Sequence, residues 1–288
     1  MDFGLFAALA APYVTTDGLV ALGQEAEARG VESIWLAEHV VLFDDYEPDY
    51  PYDENGRFPA TADSGILEPL STLAFLAGQT STVRLGTGIL LLPQRNPVYT
   101  AKEVANIDWL SGGRFDLGIG VGWCQEEFAA VDVSWPKRGK RTDEYIEVMR
   151  SLWTEDTSSY SGEFYELDKA RMYPKPVQER LPIHIGGESD AAIRRAAQRG
   201  DGWYTFNRLP EDVPAALAKL DDELAAAGRT RDDVQLSVCP YMHPLTPDMV
   251  DQYREAGVDR VIGMVFGASA DDFKAGIEGL EECIERSR

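Results

Sequence analysis

A glutamate and a histidine stand side by side at positions 38 and 39, directly after an apolar run that begins at Ser33. Histidine titrates near neutral pH, so His39 is suited to give or take a proton beside a reacting group, and Glu38 places a carboxylate next to it. The alternative is a structural histidine bonded to the backbone. His184 lies inside a predicted strand and His243 in a loop, so neither is favoured for this role. We therefore take His39 and Glu38 as the candidate catalytic pair.

Glycines mark the ends of the next two apolar runs. The first run ends in Thr87, Gly88 and Ile89, and the second ends in Gly120, Val121 and Gly122. Because glycine has no side chain, such a strand end lets a flat ring or a phosphate come close to the backbone. The second run is not a dinucleotide-binding G-x-G-x-x-G motif, because Trp123 stands where its last glycine would be. These strand ends predict a bound planar cofactor rather than a metal or a covalent nucleophile.

A third cluster, Gly186, Gly187, Glu188 and Ser189, lies immediately before a predicted helix. Glycines and a hydroxyl at a helix start can cradle a phosphate, because the first N–H groups of the helix are free and its dipole attracts anions. A tight turn followed by an ordinary helix cap is the alternative. Glu188 would repel a phosphate, so we expect its carboxylate to point elsewhere or the residue to act through its backbone.

The elements that must position these residues alternate regularly between strands and helices. Eight apolar runs, each followed by a helical pattern, predict an α/β fold: one (β/α)8 TIM barrel over residues 1–288, with active-site residues at the carboxyl ends of its strands. A doubly wound open sheet is the alternative. The predicted strands are 3–8, 33–39, 83–92, 115–121, 183–186, 202–206, 235–239 and 260–266. Among the helical patterns, one is predicted over residues 142–153 and the last over residues 271–284.

Two segments interrupt the alternation and are predicted to be insertions. Residues 40–66, after strand two, form a long acidic loop whose aromatic residues favour a lid over the substrate rather than disorder. Residues 154–181, before strand five, contain a hairpin-like piece near residues 160–167 and are expected to lie outside the chemistry.

Charge and composition exclude several classes of function. The net charge is −22 without a basic patch, which argues against binding to nucleic acid or to an anionic membrane. The three cysteines are isolated and the three histidines are far apart in sequence, so neither a disulfide framework nor a metal site is expected. No apolar run is long enough for a membrane helix. We expect a cytoplasmic enzyme with a small-molecule substrate.

Taken as a set, several motifs resemble the luciferase-like oxidoreductase superfamily, and within it the branch that uses the deazaflavin coenzyme F420. The resemblance covers essentially the whole chain. The motifs are Trp-Leu-Ala-Glu-His at 35–39, Leu-Gly-Thr-Gly-Ile at 85–89 with Asn-Pro at 96–97, Gly-Gly-Arg-Phe at 112–115, the glycine segment 118–123 with Glu-Glu-Phe at 126–128, and Ile-Gly-Gly at 185–187 with Gly-Asp-Gly-Trp at 200–203.

The resemblance implies coenzyme F420 as the cofactor, with flavin mononucleotide (FMN) as the alternative, and a ring system lying across the barrel mouth. It implies a non-prolyl cis peptide at Gly88–Ile89, behind that ring. It assigns His39 to proton transfer at the ring and Glu38 to contact with the cofactor. The phosphate side would be formed by Gly186, Gly187 and Ser189. Relatives commonly form dimers through helices near the second and third strands, so a homodimer is expected.

Two departures from the family pattern narrow the function. Val121 stands where FMN-dependent members often have an arginine, which favours F420. Trp123 stands near the position of a glutamate in an F420-dependent sugar-phosphate dehydrogenase, and the absence of this glutamate argues against that reaction. The implied function is hydride transfer between the deazaflavin and a small organic substrate. An FMNH2-dependent monooxygenase is one alternative. A non-catalytic cofactor-binding barrel is the other, and the intact Glu38–His39 pair argues against it.

Overall fold

The computed structural model describes residues 1–10, 13–60 and 63–288. Its strands are β1 (Asp2–Ala8), β2 (Ser33–Leu36), β3 (Arg84–Thr87), β4 (Leu90–Leu91), β5 (Phe115–Gly120), β6 (Ser158–Ser161), β7 (Glu166–Ala170), β8 (Ile183–Gly186), β9 (Gly202–Phe206), β10 (Gln235–Cys239) and β11 (Arg260–Phe266). Its α-helices are α1 (Thr16–Ala28), α2 (Pro69–Ala77), α3 (Pro97–Ser111), α4 (Gln125–Ala130), α5 (Arg138–Thr154), α6 (Asp190–Arg199), α7 (Val213–Ala226), α8 (Pro247–Glu255), α9 (Ala270–Glu278) and α10 (Glu281–Ser287).

Parallel strands close into a barrel surrounded by helices. Within the described ranges, hydrogen-bonded neighbours run β1, β2, β3 with β4, β5, β8, β9, β10 and β11, and β11 pairs again with β1. The two short strands β3 and β4 share the third position, so the barrel has eight strand positions in that part of the chain. The predicted (β/α)8 barrel is confirmed.

The third barrel strand is interrupted, where the sequence predicted a continuous strand over residues 83–92. β3 ends at Thr87, the Gly88–Ile89 peptide is cis, and pairing resumes in β4, where Leu90 pairs with Ile119. The cis bond implied by the family resemblance is therefore present. It lies at the carboxyl end of the barrel, beside the ends of β2 and β5.

Two apolar clusters hold the barrel together. The larger cluster fills the layer between the strands and the surrounding helices. The smaller cluster fills the barrel interior and consists of Phe6, Trp35, Tyr204, Cys239 and Ile262. Packed against it are Ala8, Ala37, Ile89, Phe206 and Met264, which are only half-buried and form the floor of the barrel mouth. The interior is therefore closed below the mouth.

Buried charges occupy the opposite, amino-terminal end of the barrel. Arg84 Nη2 lies 2.6 Å from Asp116 Oδ1, and Arg260 donates to Glu32 at 2.9 Å. His184 Nε2 lies 3.8 Å from Asp116 Oδ1, and its ring packs edge-on against Trp35. His184 is thus part of a structural network away from the mouth, in agreement with its low ranking as a catalytic candidate.

Three helices differ from the sequence predictions. The helix predicted over residues 142–153 begins earlier, at Arg138, and α4 was not predicted. The single helix predicted over residues 271–284 is split into α9 and α10 at residues 279–280. Gly279 lies at this point and Gly276 in the last turn of α9; glycine is a poor helix former, so apolar periodicity alone overestimated the continuity of the helix.

The two predicted insertions have different structures. Residues 154–181 include the antiparallel hairpin of β6 and β7, close to the predicted piece. The loop 40–66 follows β2 and carries little regular structure; its residues 61 and 62 lie outside the described part of the chain. In the described residues, none of the helices combines the length and the apolar character needed to cross a bilayer.

Candidate active site at the mouth of the barrel

His39 is held in one orientation by a buried carboxylate. Its Nδ1 lies 3.2 Å from Oε2 of Glu127, and the backbone N–H of Val40 donates to the other carboxylate oxygen, Oε1, at 2.6 Å. The side chains of His39 and Glu127 are 8% and 1% exposed. We assign the Nδ1–H tautomer to His39, because a carboxylate accepts but does not donate; this leaves Nε2 without that proton.

Glu127 was missed as a site residue by the sequence reasoning. It lies 88 residues from His39, on α4, a helix that periodicity did not predict. The available signal was the Glu-Glu-Phe motif at 126–128, which served only as part of the family resemblance. The structure separates the two glutamates: Glu127 is buried against His39, whereas Glu126 is half-buried and accepts from the backbone N–H of Glu47.

Glu38 has different partners from its neighbour. Its carboxylate is buried, accepts from the backbone N–H of Leu91 in β4, and accepts from Nε of Arg95 at 2.8 Å. Arg95 also bonds Glu68 at 2.6 Å. Burial alone would lower the pKa of Arg95, but the Glu38 and Glu68 carboxylates outweigh it and raise that pKa. Glu38 therefore ties the segment after β2 to β4, the strand that follows the cis peptide, at the same end of the barrel as His39.

Neighbouring side chains occupy the space beside the glycines around the cis peptide. A Cβ on Gly120 would lie 2.4 Å from Cδ1 of Ile89, and one on Gly186 would lie 2.6 Å from Cγ2 of Ile89. Thr87 is buried, and its hydroxyl donates to the carbonyl of Gly118 at 2.6 Å. Gly120 and Gly186 thus make room for Ile89, and do not leave open backbone for a ligand as their sequence pattern predicts.

Beyond Gly120, strand β5 leads into a turn with a nearby cation. Gly122 adopts a left-handed φ of 78°, and a Cβ there would lie 2.8 Å from Phe128. Its carbonyl accepts from Nε of Arg138 at 3.3 Å, and the Arg138 guanidinium stacks 3.5 Å above the Trp135 ring. Val121 adds no charge, so Arg138 supplies a positive charge at this strand end.

The end of β8 carries the features expected of a phosphate cradle and of an ordinary helix cap. Gly187 has a φ of 112°, and Ser189 caps α6 by accepting from the N–H of Ala192 at 3.2 Å. Glu188 accepts from the backbone N–H of Phe206 at 2.8 Å and forms an ion pair with Arg208. Its carboxylate is therefore turned away from the helix start, as expected, and leaves the first N–H groups of α6 to a ligand or solvent.

The loop 40–66 lies over the mouth. Its Tyr50 donates to the hydroxyl of Tyr241 at 3.1 Å, and its Phe58 ring lies 4.6 Å from the His39 ring. Trp123 contacts the same cluster, 5.2 Å from Tyr50 and 5.6 Å from His39. Burial raises the pKa of Tyr50 far above its ordinary value, so its hydroxyl stays protonated. The described part of the loop thus covers His39 with aromatic rings.

The chemistry open to this site is proton transfer in an apolar cleft. Residues lining the cavity at His39 are mostly apolar or aromatic: Val41, Leu42, Phe43, Tyr46, Phe58, Ala60, Trp123 and Cys124. Within the described ranges, no group of three or more metal-ligating side chains converges. Trp123 lines the cavity, whereas Trp35 lies a layer deeper and Trp203 packs outside the barrel interior, where its Nε1 donates to Gly187.

Comparison with known proteins gives a family. An uncharacterized protein of Mycobacterium tuberculosis is 31% identical over 264 residues, which cover 88% of this chain and 89% of that protein. An F420-dependent glucose-6-phosphate dehydrogenase of Kineococcus radiotolerans is 30% identical over 220 residues, covering 74% of this chain and 60% of that enzyme. A solved F420-dependent secondary alcohol dehydrogenase, in complex with an F420–acetone adduct, has the same fold, with a TM-score of 0.79, 19% identity and coverage of 100% and 99%. The profile of the luciferase-like monooxygenases matches residues 1–274, and the chain belongs to that family.

Proposed function

We propose that this protein is an F420-dependent oxidoreductase that transfers a hydride between the deazaflavin and a small organic substrate. The observation that carries the proposal is the His39–Glu127 pair at the barrel mouth, at the same end of the barrel as the cis peptide Gly88–Ile89. The dehydrogenase relative from Kineococcus radiotolerans supports the choice of coenzyme. Val121 supports it further, because an arginine at this place is typical of the FMN-dependent members.

The residues at the mouth fit a flat ring with a phosphate-bearing tail. Ile89, packed into the gaps at Gly120 and Gly186, offers an apolar surface to one face of a ring. The free N–H groups at the start of α6, with Gly187 and the nearby cation Arg138, suit the phosphate side. When bound, the coenzyme supplies the hydride chemistry. This cleft is shaped by Thr87, Gly88, Gly122, Glu188 and Ser189. Glu38 positions β4, the strand that follows the cis peptide.

His39 handles the proton that accompanies the hydride. Glu127 holds Nδ1–H, so Nε2 is the nitrogen that exchanges a proton with the substrate. The aromatic loop excludes water from His39 when it covers the mouth, and an apolar lining suits an uncharged, partly apolar substrate.

The test replaces His39 by alanine and measures turnover and coenzyme binding separately. We expect turnover to fall by about 10²–10⁴-fold, the usual contribution of a general acid or base, while the dissociation constant for F420 stays within a few-fold. His243→Ala is the matched control, since this exposed histidine has no place in the proposed chemistry. Unchanged turnover in the His39 variant would refute the assignment.

The second candidate is an FMNH2-dependent monooxygenase, which the name of the family itself favours. Oxygen consumption separates the two, because a reduced deazaflavin does not readily activate oxygen. Stoichiometric oxygen uptake with FMNH2 and substrate would establish the monooxygenase. Failure to turn over either coenzyme with a broad substrate panel would favour the non-catalytic barrel.

We also propose that two copies of the chain associate through α3. Exposed apolar side chains cluster there and on the adjoining segment: Tyr99, Trp109, Leu110, Tyr173 and Val177. The exposed positions of α3 carry a single acid, Glu103, which lies 3.5 Å from Arg95. In a chain of net charge −22, two copies meet most easily where acidic groups are sparse. Light scattering should give a dimer that Trp109→Glu converts to a monomer; a monomeric wild type would refute this.

A further inference from the structure

Tyr204 spans the barrel just below the mouth. It belongs to β9 and is 2% exposed, and its ring lies 5.2 Å from that of Trp35 and is stacked at 6.4 Å on that of Phe206. The floor of the mouth packs on this layer, and two of its five half-buried side chains, Ala8 and Ala37, are small.

The hydroxyl of Tyr204 lies beside Gly88, at the interruption between β3 and β4. A Cβ built on Gly88 would lie 2.8 Å from the hydroxyl oxygen, so this glycine leaves the space that the hydroxyl occupies. The oxygen is buried and, in the described part of the chain, has no hydrogen-bond partner. Other buried tyrosines differ: Tyr50 donates to Tyr241, and Tyr253 donates to the carbonyl of Arg208 at 2.6 Å.

An unpaired buried hydroxyl destabilises a protein, since it has lost its hydrogen bonds to water without gaining others. Such a group is retained at a cost to the fold when a ligand supplies the missing partner. The pKa of Tyr204 is raised well above its ordinary value by burial, so the hydroxyl keeps its proton and can donate. Its position next to Gly88 places that donor at the floor of the proposed coenzyme site.

We propose that the Tyr204 hydroxyl donates a hydrogen bond to an acceptor on the ring system of the bound coenzyme. The inference rests on the proposed function, because it needs a ring at this floor. The acceptor chemistry is a carbonyl oxygen or ring nitrogen of the pyrimidinedione edge, which deazaflavins and flavins share. Tyr204 is then a binding residue whose hydroxyl stabilises the complex with the coenzyme and does not stabilise the ligand-free protein.

The test combines stability of the free protein with coenzyme affinity in Tyr204→Phe. Without ligand, its unfolding temperature should equal or exceed that of the wild type, because the substitution removes an unpaired polar atom. The affinity for F420 should fall by about 3- to 10-fold, the effect of one hydrogen bond, and the absorption maximum of the bound coenzyme should shift. Tyr253→Phe is the matched control, since it loses a paired hydroxyl and should unfold at a lower temperature.

Each outcome decides the proposal. A lower unfolding temperature for ligand-free Tyr204→Phe, like that of Tyr253→Phe, would show that the hydroxyl already has a partner and would overturn it. Unchanged affinity and an unchanged bound spectrum would also overturn it. If the wild type binds FMN but not F420, the proposed function fails, yet a 3- to 10-fold loss of FMN affinity in Tyr204→Phe would still support the role of the hydroxyl. A wild type that binds neither would overturn both.

Discussion

Glu127 sets which nitrogen of His39 carries the proton, and Glu127→Gln tests this directly. The carboxylate gives one oxygen to each of two donors, His39 Nδ1–H at 3.2 Å and the Val40 N–H at 2.6 Å. Glutamine keeps the shape but has one oxygen and one NH2 group. The shorter, fixed backbone bond should retain the oxygen, so the NH2 group faces His39 and the imidazole must accept at Nδ1. The substitution should therefore invert the tautomer.

The magnitude follows from the geometry. The Nδ1–H form of the neutral imidazole donates to the Glu127 carboxylate at 3.2 Å, and the Nε2–H form cannot. The net value of a hydrogen bond to a charged group is about 1.5–3 kcal/mol. At about 1.4 kcal/mol per factor of ten, this favours the Nδ1–H form by about 10:1 to 140:1 in the wild type.

The assay is nitrogen-15 NMR of the imidazole rings, which needs no substrate. The chain has three histidines, so a His39→Gln spectrum assigns the signal of interest. We expect the Nδ1–H pattern in the wild type, the Nε2–H pattern in Glu127→Gln, and about a hundred-fold loss of turnover with little change in coenzyme affinity. Glu126→Gln is the control and should keep the wild-type pattern. An Nε2–H pattern in the wild type, or no change in Glu127→Gln, would refute the reasoning.

Two further predictions concern the barrel itself. Burial alone would raise the pKa of Asp116, but its hydrogen bonds to Arg84 and the nearby His184 imidazole outweigh burial and hold that pKa well below its usual range. This carboxylate therefore stabilises the fold above about pH 4, and the contribution is lost as the pH falls. In urea unfolding, Asp116→Asn should lower the free energy of unfolding by about 3–5 kcal/mol near neutral pH, and that free energy should depend less steeply on pH in the acid range. An unchanged pH dependence in the acid range would contradict this. A Cβ on Gly118 would lie 1.9 Å from the backbone oxygen of Thr87, so Gly118→Ala should lower the free energy of unfolding by about 3 kcal/mol or more. Gly65 lies in open space, so the control Gly65→Ala should change the free energy of unfolding by about 0.5 kcal/mol or less. Equal unfolding midpoints for the two glycine variants would contradict the packing described at the third strand.

The barrel was predictable because each strand is a short apolar run with turn residues on both sides. The predicted bounds of β8, β9, β10 and β11 agree with the structure residue for residue. Strands buried on both faces show themselves in sequence as unbroken apolar runs. Where an element depends on tertiary contacts, as in the short helix α4 and the split after α9, periodicity alone did not find the boundaries.

Site residues that lie at strand ends were partly predictable. His39 and Glu188 were singled out as candidates, and the turn of Glu188 away from the helix start was expected from its charge. Glu127 and Tyr204 were not singled out, because their contacts run across the barrel and no spacing in the sequence records them. Gly120 and Gly186 were predicted to leave space for a ligand because they have no side chain. The space is there, but the side chain of Ile89 occupies it.

Tryptophan fluorescence tests directly whether the barrel mouth binds F420 in preference to FMN. Trp123 lines the mouth beside His39, so a ring bound there should quench its emission. Parallel titrations of the purified protein should show saturable quenching at lower concentrations of F420 than of FMN, and Trp123→Phe should remove most of the signal. Tighter quenching by FMN would contradict the account and move the function to oxygen-dependent chemistry.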